Sequence, residues 1–220
     1  QPIRVHAPAG TVLNPMRPAA VGSRHYTQQA VADAVLKALV PLSPSLSYSG
    51  SQISFPAFKA GGFDQRTERL DGGNTHPYFA ITDILGGGGG ATSVGDGMSA
   101  IDTHGGNCEM LSAEVMERTC PIRILRTELV ADSGGQGRYR GGLAIRRDYE
   151  LLCDDVMVNA YVQQTQSATR PWANDGGEPG SLARIALNPG SEYEQELPSK
   201  AMALSLDAGT VIRLQSSGGG

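Results

Sequence analysis

Apolar residues recur at two different periods along the chain, and the two periods predict different elements. Between residues 27 and 40 the spacing is three and four, which is the period of an amphipathic helix. The residues that carry it are Val31, Val35, Leu36 and Leu39. Pro41 and Pro44 follow directly and end the helix. We therefore predict one clear helix near residues 27–40.

The second half of the chain shows the period of two that is typical of strands. Residues 142–152 alternate through Leu143, Ile145, Arg147, Tyr149 and Leu151, as expected for a sheet with one face in water. Further strands are expected at residues 2–13, 78–85, 122–130, 157–162 and 181–187, and a short helix at 109–117. Residues 203–206 and 211–214 are predicted to pair as a hairpin across Asp207-Ala208-Gly209, in a meander or sandwich-like region.

These elements predict an α+β fold that is mainly β, with an antiparallel, β-rich C-terminal half. We expect residues 1–120 to be part of a larger mixed α/β domain whose N-terminal portion is missing, and residues 121–220 to form the β-rich C-terminal region. Glycine supports a turn-rich chain, because 29 of 220 residues is well above the usual share of about 7%.

Charge and cysteine content exclude several classes of protein. The formal net charge of -4 gives no basic field for phosphate backbones or anionic lipid, so we expect neither nucleic acid nor membrane as a partner. The three cysteines are odd in number and show no CxxC spacing, which favours a reducing compartment. No signal peptide or membrane span is recognisable, and the sequence predicts a cytoplasmic protein.

Ser133, in the segment Asp132-Ser133-Gly134-Gly135, has three interpretations. A protease nucleophile sits in a similar turn, but no upstream His and Asp stand in the context of a triad. A phosphate-binding loop would need a helix after the glycines, where two arginines follow instead. A glycine-rich connection between two strands is the interpretation that local physics favours.

Longer strings resemble the hydantoinase B/5-oxoprolinase B family. The segment DSGGQGRYRGGLAIRRDYELL (132–152) resembles the stretch that marks the family, and YFAITDILGGGGGATSVGDG (78–97) is similar to its glycine-rich stretch. The final residues LPSKAMALSLDAGTVIRLQSSGGG (197–220) look like its C-terminal end. The resemblance covers nearly all 220 residues, as the C-terminal portion of a family member.

The resemblance implies a B-type subunit of a multi-subunit complex that works beside an A-type, ATP-binding subunit. The implied reaction is ATP-dependent hydrolysis of a cyclic amide of the hydantoin or 5-oxoproline type. The cofactors implied are ATP with Mg²⁺ on the partner subunit and a divalent metal such as Zn or Mn held by the portion upstream, with no metal ligands assigned in this chain. Two alternatives stay open: a subunit of an ATP-dependent ketone carboxylase of the acetone or acetophenone type, and a non-catalytic scaffold for the A-type subunit.

One altered motif supplies the candidate catalytic residues Asp102, His104 and Asn107. Residues 102–107 read Asp-Thr-His-Gly-Gly-Asn where the family has His-Thr-His-Met-Thr-Asn. Residues two apart on a strand face the same way, so Asp102 and His104 can converge as a charge-relay pair or as two metal ligands. The alternative is a turn-capping carboxylate beside a packed imidazole.

The glycine run at 86–90 supplies the candidate substrate-binding residues Gly87, Gly88 and Gly89. Backbone without side chains lets a substrate or another subunit approach closely. The alternative is a tight packing crossing or a flexible loop, because something must compensate the entropy lost on ordering five glycines. Asp83 and Asp96 flank the run and are candidates for lining a polar pocket or for capping turns.

Overall fold

A computed structural model of the chain describes residues 4–43, 47–53, 55–66 and 76–220. Their main elements are two α-helices and nine strands. The helices are α1 (His25–Leu39), followed by a 3-10 turn at Val40–Leu42, and α2 (Ala113–Thr119). The strands are β1 (Ala57–Phe63), β2 (Tyr78–Ile84), β3 (Ile122–Leu129), β4 (Ile145–Leu151), β5 (Val156–Tyr161), β6 (Arg184–Leu187), β7 (Gln195–Leu197), β8 (Lys200–Leu206) and β9 (Val211–Gln215). The α+β, mainly β fold class is thereby confirmed.

The strands form two antiparallel sheets that share one core. One sheet has the order β2-β1-β5-β8 and the other the order β3-β4-β9-β6-β7. Phe58 of β1 stacks on Tyr149 of β4 with ring centroids 4.1 Å apart, and both side chains are fully buried. Val158 of β5 and Ile212 of β9 belong to the same buried cluster. The arrangement is a sandwich, in which the inner faces of two sheets bury their apolar side chains against each other.

An ionic cluster crosses this core. Asp83 of β2 accepts hydrogen bonds from the Arg147 guanidinium and from the Tyr149 hydroxyl of β4, both at 2.7 Å. Burial raises the pKa of Tyr149 well above its ordinary value, and the Asp83 carboxylate adds to that shift. Asp83 therefore links the two sheets, and it also borders a cavity of about 640 Å³, as the pocket interpretation predicted. Its hydrogen bonds to Arg147 and Tyr149 do not fit the alternative of a turn cap.

The prediction of a C-terminal hairpin is wrong, although both predicted strands are present. β8 pairs with β5 in one sheet, whereas β9 pairs with β4 and β6 in the other. The turn between them is tied to the β4–β5 connection, since Gly209 N–H donates to the Leu151 carbonyl and Ala208 N–H to the Asp154 carboxylate. The chain therefore changes sheet at this turn instead of folding back on itself.

The expected strand at residues 2–13 is also wrong for the part that the structure describes. Residues 4–13 contain no strand, only a bridge between Thr11 and Asn14. Residues 2 and 3, like Pro44, lie outside the described ranges. The proposed limits of 1–120 and 121–220 stay a prediction, and strands from both sides of residue 120 share a sheet, since β1 pairs with β5.

The helix near residues 27–40 is confirmed as α1, but three of the four apolar residues that predicted it are exposed, and Leu36 is half-buried. Gln29 and Asp33 are its buried residues, whereas Val31, Val35 and Leu39 are 41%, 53% and 40% exposed. The polar face therefore packs on the rest of the described chain. Neither α1 nor any other helix in the described ranges is long and apolar enough to cross a membrane.

Three glycine-rich segments contact one another in what we call the glycine crossing: residues 86–90, 141–142 and 218–220. Gly142 N–H donates to the Gly89 carbonyl, and Gly219 N–H donates to the Gly142 carbonyl. A Cβ on Gly88 would lie 2.1 Å from the Gly142 carbonyl oxygen, so no larger residue fits without displacing backbone. The tight-packing interpretation of the glycine run thus has direct structural support.

Candidate functional site

A cavity of about 260 Å³ contains the predicted residues Asp102 and His104. Its wall also includes Gly89 and Gly90 from the end of the glycine run, and Tyr48 from the segment after α1. The cavity therefore lies where the altered motif meets the glycine crossing, and it brings together candidates that are far apart in sequence.

The altered motif is a turn and not a strand. His104 has a φ of +51° and Gly105 a φ of +86°, both in the left-handed region, and residues 102–107 make no strand pairing. The period-of-two argument therefore does not apply to Asp102 and His104. They share the cavity because the turn folds their side chains towards it.

His104 pairs with Asp33 of α1. The sequence pattern did not identify Asp33 as a site residue. The His104 Nε2 lies 3.3 Å from the Asp33 Oδ1, and the two side chains are 9% and 10% exposed. A carboxylate at one ring nitrogen fixes the tautomer and orientation of an imidazole, and this pairing prepares histidines for acid–base chemistry.

Asp33 also accepts hydrogen bonds from two other segments. The Trp172 Nε1–H donates to Oδ2 at 2.7 Å, and the Ser51 N–H donates to Oδ1 at 3.3 Å. One helical turn earlier, the Gln29 side chain donates to the Thr103 carbonyl at 2.7 Å. Positions i and i+4 lie on one helix face, so α1 holds residues 103 and 104 with two adjacent side chains.

Asp102 is held separately from His104. Its Oδ2 accepts the Cys108 N–H at 2.9 Å, while its Oδ1 is buried and has no hydrogen-bond partner in the described ranges. Gly106 packs on this carboxyl so closely that a Cβ there would lie 1.9 Å from Oδ1. Burial raises the pKa of Asp102, and the Cys108 N–H partly opposes that shift. The group is therefore more easily protonated than an ordinary aspartate.

Tyr48 completes the polar wall of the cavity. Its ring centroid lies 5.8 Å from that of His104, and its hydroxyl hydrogen-bonds with the Ser51 hydroxyl. Burial raises the pKa of Tyr48, so the phenol stays neutral. The Ser51 hydroxyl also accepts the Gly90 N–H at 2.8 Å, which ties this wall to the glycine run.

The remaining predicted residues lie apart from the cavity wall. Asn107 is exposed to solvent. Gly87 and Gly88 bond within the protein, since Gly87 N–H donates to the Ile101 carbonyl and Gly88 N–H to that of Ser217. Of the three glycines proposed to bind substrate, only Gly89 borders the cavity.

Ser133 is a turn residue, as local physics indicated. It is 3% exposed, its hydroxyl donates to the Val130 carbonyl at 2.6 Å, and it accepts the Ala144 N–H at 2.8 Å. A buried hydroxyl with both roles in use is not available to attack a substrate, and the protease interpretation is excluded.

Within the described ranges, no group of three or more His, Cys, Asp and Glu side chains is placed to hold a metal ion. Asp96, Asp102 and His104 border the cavity and Asp33 lies against His104, but these side chains do not converge into such a group. The described residues of this chain therefore do not by themselves fit the divalent metal that the resemblance implies.

Comparison with known proteins gives consistent relatives. The family model described as Hydantoinase B/oxoprolinase matches residues 1–220. The chain is 30% identical over 221 residues to the putative B subunit of a D-/L-hydantoinase from a Pseudomonas strain, covering 100% of this chain and 35% of that protein. It is 28% identical to a 5-oxoprolinase of Pestalotiopsis fici, covering 100% of this chain and 16% of that protein.

Two solved structures share the fold. An ATP-dependent caprolactamase from Pseudomonas jessenii superposes with a TM-score of 0.78 at 23% identity, over 98% of this chain and 37% of that one. A nucleotide-free acetone carboxylase gives a TM-score of 0.73 at 20% identity, over 97% of this chain and 32% of that one. The chain thus spans about a third of the hydantoinase relative and of both solved chains. Since the family model matches every residue, the chain belongs to the hydantoinase B/oxoprolinase family.

Proposed function

We propose that this chain is part of the B-type subunit of an ATP-dependent enzyme that hydrolyses cyclic amides of the hydantoin or 5-oxoproline type. The observation that carries the proposal is the cavity lined by His104, Asp102 and Tyr48, with Asp33 paired to His104. All of this chain matches part of a putative hydantoinase B subunit. The partners we propose are an A-type, ATP-binding subunit and a small cyclic amide, in a cytoplasmic hetero-oligomer.

The cavity suits the second half of such a reaction. An amide carbonyl is a weak electrophile, and ATP with Mg²⁺ on the A-type subunit would supply a phosphoryl group that activates its oxygen. In our proposal His104, whose Nε2 lies against Asp33, takes a proton from the attacking water through its other ring nitrogen. Asp102, whose pKa is raised by burial, donates a proton to the ring nitrogen as the C–N bond breaks. The acyl phosphate that results is hydrolysed by a second water to the carboxylate and free phosphate. We propose that any divalent metal binds outside the residues of this chain.

A ketone carboxylase is the second candidate. Two observations favour it: the acetone carboxylase shares the fold at a TM-score of 0.73, and residues 102–107 depart from the motif that the resemblance implies. In that reaction the same acid–base groups would move a proton from the carbon next to the ketone. The third possibility is a scaffold without a catalytic role.

The test measures ATP turnover by the complete complex of B-type and A-type subunits, with phosphate release as the readout. Hydantoins and 5-oxoproline are compared with acetone and acetophenone supplied together with bicarbonate. We expect phosphate release to depend on the cyclic amides. Release that depends only on a ketone with bicarbonate would establish the second candidate instead, and no stimulation by either set would refute both enzymatic functions.

A further inference from the structure

Helix α1 presents an uncharged apolar stripe to solvent. Its exposed apolar residues follow the spacing i, i+3, i+4, i+7 and i+8: Val31, Ala34, Val35, Ala38 and Leu39. This is the spacing by which a surface helix buries one face in a core. Here the stripe lies on the side of α1 opposite Gln29 and Asp33, which contact the candidate site.

The charged side chains of α1 lie outside this stripe. Asp33 is buried against His104, and the Lys37 ammonium lies 5.0 Å from the centroid of the Trp172 ring. A helix face that stays in water normally carries charged side chains, which keep it from associating. The composition of the α1 stripe is that of a covered surface.

The segment that leads into α1, residues 4–22, forms an arm with the same property. Its large apolar side chains are more than half exposed: Val5, Val12, Leu13, Met16 and Val21. Within the described ranges, the hydrogen bonds of the arm close on itself, as when Gly10 N–H donates to the Asn14 carbonyl and Asn14 Nδ2 to that of Ala7. The arm and the α1 stripe, which follow each other directly in the chain, thus both expose apolar side chains.

We propose that the α1 stripe and the arm are the docking surface for the remainder of a B-type polypeptide. The hydantoinase relative aligns with this chain over only 35% of its own length, so roughly two thirds of such a polypeptide lies outside the aligned region. Permanent interfaces resemble a domain core cut in half and are more apolar than transient ones. An uncharged stripe fits a segment of the same polypeptide better than it fits a separate ATP-binding subunit.

Docking on this surface would also affect the candidate site. The stripe and the site occupy opposite faces of α1, and Asp33 holds His104 from the buried face. A segment seated on the stripe therefore fixes the helix that positions the imidazole.

Cysteine labelling of the full-length B-type polypeptide tests the proposal. Val35→Cys is introduced into a Cys108→Ser background, because Cys108 is exposed while Cys120 and Cys153 are buried. Tyr193→Cys is the matched control, since Tyr193 is 72% exposed and lies far along the chain from the arm and α1. We expect a maleimide to label the cysteine at position 35 about tenfold or more slowly than the one at 193 in the native polypeptide alone, and at the same rate in denaturant.

Three results would overturn the proposal. Equal labelling of the two sites in the native polypeptide would mean that the stripe is uncovered. Protection that begins only after the A-type subunit is added would assign the surface to that subunit, and protection that grows with protein concentration would assign it to a second copy. Labelling requires no turnover, so failure here is distinct from failure of the proposed enzymatic function.

Discussion

Asp33 is the residue that connects the helix to the candidate site. A buried carboxylate is stable only when hydrogen bonds replace its lost hydration, and Asp33 accepts them from Trp172 and Ser51 as well as lying against His104. Removing this carboxylate would leave those donors without an acceptor. We regard Asp33 as a positioning residue, because it acts on a substrate only through the imidazole.

Asp102 gives a prediction for the pH dependence of stability. Its pKa is raised in the folded protein, so the folded state binds the proton more tightly than the unfolded state does. The resulting stabilisation is present below the ordinary pKa of 3.8 and is lost as the pH rises through the folded pKa. The free energy of unfolding of Asp102→Asn, compared with that of the native chain, should therefore rise as the pH goes from acidic to neutral. Urea unfolding across that range measures the difference.

The exposed Asp132 supplies the control for this experiment. Asp132→Asn measures how much an exchange of Asp for Asn changes stability at an exposed position. A difference between Asp102→Asn and the native chain that does not vary with pH would contradict the burial account of Asp102.

Part of the site was predictable residue by residue, and part was not. The altered motif identified Asp102 and His104, because His and Asp at close spacing are recognisable without a fold. Asp33 and Tyr48 lie 71 and 56 residues before His104 in the sequence, and only the folded chain brings them to it. The single local signal was a pair of polar residues, Gln29 and Asp33, four apart on the face of α1 opposite its apolar stripe.

At the scale of elements, periodicity located the helix and strands better than it located their partners. The spacing of Val31, Val35 and Leu39 identified α1. Hydrophobic periodicity does not show whether the apolar face of a helix packs inside the same chain or is exposed on its surface. The strands β8 and β9 were likewise foreseen, but their pairing depends on the anchoring of the turn by residues 151 and 154, about 55 positions earlier.

The inter-sheet contact of Asp83 gives the prediction at this scale. Asp83→Ala would leave the Arg147 guanidinium buried without its carboxylate, which typically costs about 3–5 kcal/mol. We expect a loss of that order in the free energy of unfolding, measured by urea denaturation. The exposed pair of Arg123 with Glu150 is the control, where Glu150→Gln should cost about 0–1 kcal/mol. Equal losses in the two variants would show that Asp83 does not join the sheets.

At the scale of the whole molecule, the glycine crossing connects the sandwich to the wall of the cavity. Segments from early, middle and late in the chain approach at backbone distance, and Gly89 belongs to both the crossing and the cavity wall. The resemblance located these segments, but only the fold shows that they meet. Because the chain spans about a third of the hydantoinase relative, we expect its activity to be a property of a larger assembly.

The measurement that tests the central claim most directly is cyclic-amide-dependent ATP turnover by the complete complex carrying His104→Ala. Native mass spectrometry establishes that the variant still assembles with the A-type subunit, and Tyr193→Ala is the exposed control. Loss of a general base typically costs about 10²–10⁴-fold, so we expect a fall of that size in kcat with assembly intact. Turnover that is unchanged in an intact complex would contradict the account and would make this chain a scaffold.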